Sequence, residues 1–251
     1  MNFIDDVLAG RVTLPMMPKV IQRVLSVMRH DDSSLNQIAN ELEQDPVLSS
    51  RVLRLANSSF FSGRRSMASI SDAVSVVGFK SLETLVIACG AQAAFADVPG
   101  VNMRQFWQSA AVTASAGRQI AQRLGVNRET AYSAGLLQGV GHLILCQCYP
   151  EKALEEFSSM RSLWGAELAA KERAAFGVTH PQVSALWVDR IGLPAAVASA
   201  IAHSLDPMDI TGLTLGRVVQ LASSVAAAVS SGDTVGARGA GQRRPARLAT
   251  R

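Results

Sequence analysis

The sequence is poor in aromatic side chains and has no long uncharged apolar run. Phe, Trp and Tyr make up 5% of the 251 residues, whereas 48% of the residues are hydrophobic. A core of aliphatic and alanine side chains favours closely packed helices over a β-sandwich. The longest charge-free apolar stretch near the C-terminus, residues 218–232, is shorter than the roughly 20 residues of a membrane-spanning helix. The N-terminus lacks the basic and apolar segments of a signal peptide, so we expect a cytoplasmic protein without membrane insertion.

Cysteine is also scarce. Cys89, Cys146 and Cys148 are an odd number at irregular spacing, which argues against a disulfide framework. Cys146 and Cys148 face different sides of a helix, and no second Cys or His pair lies at the spacing of a zinc site. We therefore expect buried, reduced thiols, and we predict neither a metal nor a cofactor.

The excess of positive charge lies at the C-terminal end. The whole chain carries a formal charge of +4, and residues 232–251 account for it with five arginines against Asp233. The preceding 231 residues are balanced, so the folded body shows no general attraction for nucleic acid. The tail has no apolar periodicity and is rich in Gly, Ala and Pro. We expect it to be disordered, either simply solvated or nonspecifically attracted to nucleic acid or acidic partners.

Apolar residues recur with a period of 3.6 along most of the chain, and sustained alternation of period two is absent. Ser33 or Ser34 is placed to cap one helix, and Asp45 precedes a proline at the start of the next. Residues 97–100 form the clearest internal break, and residues 128–148 read as one long apolar helix. The pattern predicts an all-α, multi-helix globule.

The residues offer few candidates for catalysis. No phosphate-binding glycine loop, nucleophile elbow or zinc-binding HExxH motif is present, and no serine or cysteine has an evident base nearby in sequence. His30 lies in a polar connection with Asp31, where a solvated loop is expected. His142 lies on an apolar helix without a carboxylate within one turn, as a core or groove histidine does. His180 precedes a proline at a helix start, where a capping or turn contact is expected.

Helices near residues 34–42 and 46–56 resemble a helix-turn-helix in their spacing. A recognition helix needs polar side chains that reach the edges of DNA bases. The second helix, however, has only two serines and two arginines for such contacts, and its other positions are mostly apolar. Together with the neutral body, this argues against specific DNA binding.

Several linked segments resemble the HDOD domain, the HD-related output domain of bacterial signalling proteins, over roughly residues 14–205. In chain order they are LPMMP at 14–18, DPVL at 45–48, RVLRLANS at 51–58, ISDAV at 70–74, VG at 77–78, FW at 106–107, AGLL at 134–137, FGVTH at 176–180, GLP at 192–194 and AIAH at 200–203. The resemblance implies a fold related to HD phosphohydrolases, generally without their full set of metal ligands. It also implies signal transduction through partner binding, often near cyclic-di-GMP or two-component circuits.

This chain departs further from a hydrolase than the family pattern does. Where the family often has a His-Asp pair, the chain has Gln138 and Gly139, and Gln108 stands where a family histidine commonly precedes serine. The resemblance therefore implies a protein that is not an enzyme. The predicted layout is an N-terminal extension (1–13), an N-terminal helical half (14–96), a degenerate HD-like half (101–205), a C-terminal helix (211–231) packing on the domain, and the basic tail (232–251). Periodicity alone leaves open whether that last helix mediates dimerisation instead.

The first functional hypothesis is a non-catalytic module that binds another signalling protein. A contact surface is predicted around a polar and aromatic segment in which an aromatic anchor has polar neighbours. Its candidate residues are Arg54, Asn57, Ser58, Phe60 and Phe61. The alternative, in which Phe60 and Phe61 fold back onto the core, stays open.

The second hypothesis is a sensor that binds a nucleotide or another small anion in the vestigial HD groove. Arg118 or Arg190 would supply positive charge to such a ligand. The candidate groove residues are Trp107, Gln138, His142, His180 and His203. A residual phosphohydrolase is the third hypothesis, and the lost ligand positions argue against it.

Overall fold

The computed structural model describes residues 3–30, 33–57, 66–157, 165–206 and 214–230. Within these ranges the chain forms helices joined by short connections, and no strand occurs in them. The helices are α1 (Phe3–Leu8), α2 (Lys19–Met28), α3 (Leu35–Glu43), α4 (Pro46–Ala56), α5 (Ile70–Val77), α6 (Phe79–Ala94), α7 (Met103–Leu124), α8 (Arg128–Leu137), α9 (Val140–Cys148), α10 (Pro150–Phe157), α11 (Ala166–Phe176), α12 (His180–Arg190), α13 (Ala195–Ala202) and α14 (Leu215–Ser230). The all-α prediction is confirmed.

Local sequence signals account for many helix starts. Ser34 caps α3 and forms a capping box with Gln37, while Asp45 accepts the N–H groups of Val47 and Leu48 at the start of α4. These side chains satisfy donors that have no partner inside the helix. The prediction that Asp45 caps α4 is confirmed, and of the two serines proposed for α3 the structure selects Ser34.

The first and second halves of the chain share one core. Helices α2–α6 pack on one another, α7–α9 pack with α12–α14, and α6 contacts α8. Two long-range hydrogen bonds connect the halves: the indole of Trp187 donates to the Pro15 carbonyl at 2.6 Å, and Arg29 donates to the Ile191 carbonyl at 2.7 Å. Phe95 lies against Trp187 with ring centroids 5.5 Å apart. The HD-like half is thus fixed to the N-terminal helices.

Both ends of the described chain pack on this core. Phe3 of α1 is buried, and Asp6 accepts a hydrogen bond from the Tyr149 hydroxyl at 2.8 Å. The residues predicted only as an N-terminal extension therefore contribute a packed helix. Helix α14 lies against α7, α8 and α13 with Val218, Val219 and Ala222 buried.

The prediction of one continuous helix over residues 128–148 is wrong. The chain forms α8 and α9, which are separated by a turn at Gln138 and Gly139. The Ser184 hydroxyl on α12 donates to the Gln138 carbonyl at 2.8 Å and accepts the Gly141 N–H at 2.6 Å. A side chain from another helix thus takes main-chain partners that a continuous helix would have paired internally, and this stabilises the break.

None of the described helices combines the length and the apolar character that crossing a bilayer requires. Cys89 and Cys146 are buried and unpaired as predicted, whereas the unpaired Cys148 is only half-buried. Burial raises the pKa of the Cys89 thiol to about 12, against a smaller opposite effect of Arg51 and Arg54, so this thiol stays protonated and unreactive near neutral pH.

Candidate functional site: a buried histidine–glutamate network

A carboxylate at the centre of the second half joins two of the four histidines. Glu172 on α11 is completely buried, as are His142 on α9 and His180 at the start of α12. The Nδ1 atom of His142 lies 2.9 Å from Glu172 Oε1, and the Nδ1 atom of His180 lies 2.7 Å from Glu172 Oε2. One side chain therefore connects three helices through charge-assisted hydrogen bonds.

The start of α12 adds a third donor to this carboxylate. The His180 main-chain N–H donates to Glu172 Oε2 at 2.6 Å. This N–H belongs to the first turn of α12, where main-chain donors lack intrahelical partners and the helix dipole favours a negative charge. The capping contact expected for His180 is thus present, but its acceptor is Glu172 rather than a neighbour in sequence.

Aromatic side chains close the network off from water. Phe157 meets the His142 ring edge-on with centroids 5.2 Å apart, and Phe176 stacks on Phe157 at 5.8 Å. Tyr149 also stacks on Phe176, with ring centroids 5.6 Å apart. Inside such an apolar enclosure an unpaired charge is costly, so the ion pair has to be internally balanced.

The hydrogen bonds determine the charge state of the pair. Burial disfavours protonated His142, but its hydrogen bonds with Cys146 and Glu172 outweigh burial and raise its pKa to about 9. Burial also disfavours the Glu172 carboxylate, yet its electrostatic interactions with His180 and His142 and the hydrogen bonds from both imidazoles lower the pKa of Glu172 to about 2. Near neutral pH the pair is therefore a buried His142 cation and Glu172 anion.

The second ring nitrogens differ in their surroundings. The Nε2 atom of His142 lies 3.5 Å from the Cys146 Sγ, one helical turn further along α9. The Nε2 atom of His180 is buried and has no partner among the described residues. An imidazolium donates through both ring nitrogens, so the two partners of His142 suit its charged form.

The structure brings together three of the five predicted groove residues. Gln138 is buried at the α8–α9 turn against α12, near the network that contains His142 and His180. His203 does not join them: it is exposed at the end of α13, and its Nδ1 lies 2.8 Å from the Ser199 carbonyl oxygen of its own helix. Trp107 is half-buried on α7 with its ring edge-on to Phe106.

The two arginines proposed to serve the groove lie elsewhere. Arg118 forms an ion pair with Glu129, so its charge is already compensated within the α7–α8 pair. Arg190 is exposed at the last residue of α12, at the opposite end of that helix from His180. Neither arginine supplies a free positive charge to the buried network.

The predicted contact surface is described only in part. Arg54 is exposed on α4. Asn57 makes a two-point clamp instead of presenting its amide: its Nδ2 donates to the Met67 carbonyl at 2.8 Å and its Oδ1 accepts the Met67 N–H at 2.7 Å. Ser58, Phe60 and Phe61 lie outside the described residues. His30 is exposed as expected, and its neighbour Asp31 also lies outside them.

Sequence reasoning missed Glu172 and Ser184. Glu172 lies in a charged stretch between Lys171 and Arg173, which resembles a solvated helix face. Its position nevertheless repeats the spacing of Leu168 and Phe176, which lie four residues before and after it and are both buried. That placement of a glutamate on an apolar stripe was the available signal.

Comparisons with known proteins agree on the family pattern. The model of the HDOD domain family matches residues 14–207. A curated relative, an uncharacterized protein of Treponema pallidum, is 26% identical over 192 residues, which cover 75% of this chain and 37% of that protein. The chain thus spans well under half the length of the curated relative it matches.

Solved structures from three bacteria share the fold. A protein of Shewanella amazonensis named as a candidate phosphohydrolase is 29% identical with a TM-score of 0.75, covering 87% of this chain and 78% of that one. An HDOD domain protein of unknown function from Geobacter sulfurreducens is 26% identical, with a TM-score of 0.68 and coverages of 88% and 75%. A candidate signal transduction protein of Marinobacter aquaeolei is 27% identical, with a TM-score of 0.62 and coverages of 83% and 48%.

The buried residues do not fit a hydrolytic metal centre. Such a centre needs several imidazole and carboxylate ligands with free lone pairs around one cation and an open position for water. Gln138 offers only an amide, Gly139 offers no side chain, and His142 engages both ring nitrogens, one with Glu172 and the other with Cys146. Across the described ranges no group of three or more such side chains is arranged to hold a metal ion.

Proposed function

The chain belongs to the HDOD domain family, and from that membership we propose that it is a non-catalytic signal-transduction module that binds another signalling protein. The buried network is the observation that carries the non-catalytic part of the proposal. The family resemblance and the likeness to the Marinobacter aquaeolei protein support a signalling role. Cyclic-di-GMP and two-component circuits are the settings we propose for it, and its location is the cytoplasm.

The network supports a structural role for the two buried imidazoles. His142 and His180 are fully buried and hydrogen-bonded to one carboxylate, so they hold α9, α11 and α12 together instead of facing a substrate. A general acid, a base or a metal ligand has to reach the reacting group. Side chains enclosed in this way cannot do so without local opening of the core.

A hydrolysis assay tests this assignment. We expect the purified chain, supplied with Mn²⁺, to cleave bis(4-nitrophenyl) phosphate no faster than the buffer does, and to retain no stoichiometric metal after dialysis. His203→Asn is the matched control, because His203 is exposed and lies outside the network. Metal-dependent turnover by the wild type that His142→Asn abolishes and His203→Asn preserves would contradict the proposal.

We place the partner surface at exposed Arg54 and the adjoining segment 58–65. The Asn57–Met67 clamp holds residues on either side of this segment against each other. In sequence the segment has two aromatic residues beside polar ones, a combination typical of binding anchors. Phe60 and Phe61 are the proposed anchors.

Partner capture from a bacterial lysate tests the surface. The bait with Phe60→Ala and Phe61→Ala is expected to lose a protein that the wild type enriches. A bait with Val229→Ala, an apolar truncation at an exposed position of α14, is expected to retain it. Equal capture by all three baits would exclude this surface.

Thermal unfolding separates anchors from core residues. Truncating a buried Phe to Ala costs about 3–5 kcal/mol, so an unchanged melting temperature of the double variant supports exposed anchors. A large decrease would assign Phe60 and Phe61 to the core.

The sensor hypothesis receives less support from the geometry. Gln138, His142 and His180 are at most 3% exposed, so they line no open groove for a nucleotide. A thermal shift with a nucleotide panel that His180→Asn removes would restore the sensor hypothesis.

A further inference from the structure

A second feature of the molecule lies away from the buried network. A cleft of about 280 Å³ opens where α6, α8 and α13 meet. We propose that this cleft binds a small ligand bearing an oxyanion, a phosphate monoester or a carboxylate, through Lys80, Ser133 and the first-turn N–H groups of α13. The proposal is independent of segment 58–65, so the two can fail separately.

The N-terminus of α13 supplies main-chain donors. Its N-cap is Pro194, which has no side-chain acceptor, and no other side chain caps the helix. The N–H groups of Ala195 and Ala196 are thus left to solvent at the mouth of the cleft, which Ala196 lines. By contrast, Asn127 already caps the α8 N–H groups on the neighbouring side. Uncapped first-turn donors and the positive end of the helix dipole favour an anion.

Ser133 provides a second, independent observation. It lines the cleft from α8 although it is only 7% exposed. Its hydroxyl has no hydrogen-bond partner within the described part of the chain, unlike the helical serines at positions 75 and 115, which donate to the carbonyl four residues earlier. In the cleft this hydroxyl is open to water, and an oxyanion of a ligand can accept its O–H in place of that water.

The two carboxylates that line the cleft each pair with a cation. Glu129 pairs with Arg118 and Arg128, and Glu83 pairs with Lys80. The Lys80–Glu83 contact is a single exposed one at 3.4 Å, so the ammonium keeps donors for another acceptor. Lys80, Ser133 and the first-turn N–H groups of α13 are the donors that an acceptor group on the ligand would engage.

The floor of the cleft is apolar. Ile87, Leu193 and Val197 line it and are nearly buried. The volume lies just below the roughly 300–1,000 Å³ of pockets for drug-sized ligands. A small ligand with one oxyanion and a compact apolar or ring portion matches this combination of donors and apolar floor.

Titration of the full chain with phenyl phosphate, inorganic phosphate and benzoate tests the proposal. Main-chain ¹H–¹⁵N spectra report the site directly, because the amide signals of Ala195 and Ala196 are expected to move with saturation. Ser133→Ala is expected to weaken binding about tenfold, since it removes one hydrogen bond to a charged group. Lys80→Gln is expected to weaken binding roughly threefold, and Glu83→Gln to strengthen it by a similar factor because it frees Lys80.

The arginine-rich tail also attracts anions, and the controls separate it from the cleft. Ser133→Ala does not change net charge, so it leaves binding by the tail unaltered. Ser115→Ala changes a half-buried serine of α7 that lies outside the cleft; it is the matched control and should bind as the wild type does. Saturation by the two phosphates alone identifies a phosphate ligand, and saturation by benzoate as well identifies a general oxyanion site. The proposal is overturned if the amide signals of Ala195 and Ala196 do not shift at millimolar concentrations of the probes. It is also overturned if the wild type and Ser133→Ala bind the probes with equal affinity.

Discussion

Replacing Glu172 by Gln probes the network with little change in shape. The amide oxygen can accept the two donors of His180, but the NH₂ group then faces His142 Nδ1. His142 can satisfy that NH₂ only as the neutral Nε2–H tautomer, so the cation of the pair is lost. We therefore expect the variant to fold with a lower free energy of unfolding.

The pKa of His142 sets the magnitude. Raising this pKa from 6.5 to about 9 corresponds to about 3 kcal/mol of preferential stabilisation of the charged form. The lowered pKa of Glu172 describes the same interaction and is not added to it. For a chain of this size, about 3 kcal/mol corresponds to a decrease of roughly 6–12 °C in melting temperature.

The two pKa values also define the pH window. The pKa of His142 is raised in the folded protein, so its contribution to folding stability is complete below about pH 6.5 and is lost as pH rises through about 9. The pKa of Glu172 is lowered to about 2 in the folded protein, so its contribution to folding stability is present above about pH 4.5 and is lost as pH falls toward 2. The stability difference between wild type and Glu172→Gln is therefore largest between about pH 4.5 and 6.5.

Urea unfolding followed by far-ultraviolet circular dichroism from pH 5 to pH 10 measures this difference. Glu167→Gln is the matched control, because Glu167 is exposed on the same helix; it should stay within about 0.5 kcal/mol of wild type. A Glu172→Gln effect below about 1 kcal/mol at pH 6, or one of equal size at pH 6 and pH 10, would refute the ion-pair reasoning.

Two further variants test other contacts. Ser184→Ala removes the hydroxyl that accepts the Gly141 N–H at the α8–α9 break, and it should lower the free energy of unfolding by about 2–3 kcal/mol in thermal unfolding. The exposed control Ser75→Ala should be nearly neutral. Equal effects of the two variants would contradict the role of Ser184. Asn57→Ala removes the clamp on Met67; we expect faster tryptic cleavage within residues 58–65 with little change in melting temperature, and an unchanged cleavage rate would show that the clamp does not restrain this segment.

Local signals made much of the fold predictable. The cap at Asp45 and the capping box at Ser34 are short-range interactions between residues two or three positions apart. The left-handed Gly125, with φ of 70°, ends α7 at the turn that the sequence predicts after residue 124. Helix existence and these boundaries follow from the chain's own neighbours, without knowledge of the tertiary structure.

The site depends on contacts that periodicity does not encode. Glu172 meets a histidine 30 residues before it, and Ser184 binds a carbonyl 46 residues before it. The helical pattern continues through residues 138–139 because no proline or capping side chain marks a break there. His203 lies apart from the other groove candidates for a similar reason, since proximity to a helix end predicts a capping contact and not which helix lies beside it.

The network also explains how two imidazoles are stabilised inside the core. Without a partner, each would be a buried polar group with an unmet hydrogen bond, which is costly. Glu172 supplies an acceptor to both His142 and His180, so the three side chains tie α9, α11 and α12 together. Variants in the network should change stability without changing partner affinity in the folded protein, and variants at Phe60 and Phe61 should do the reverse.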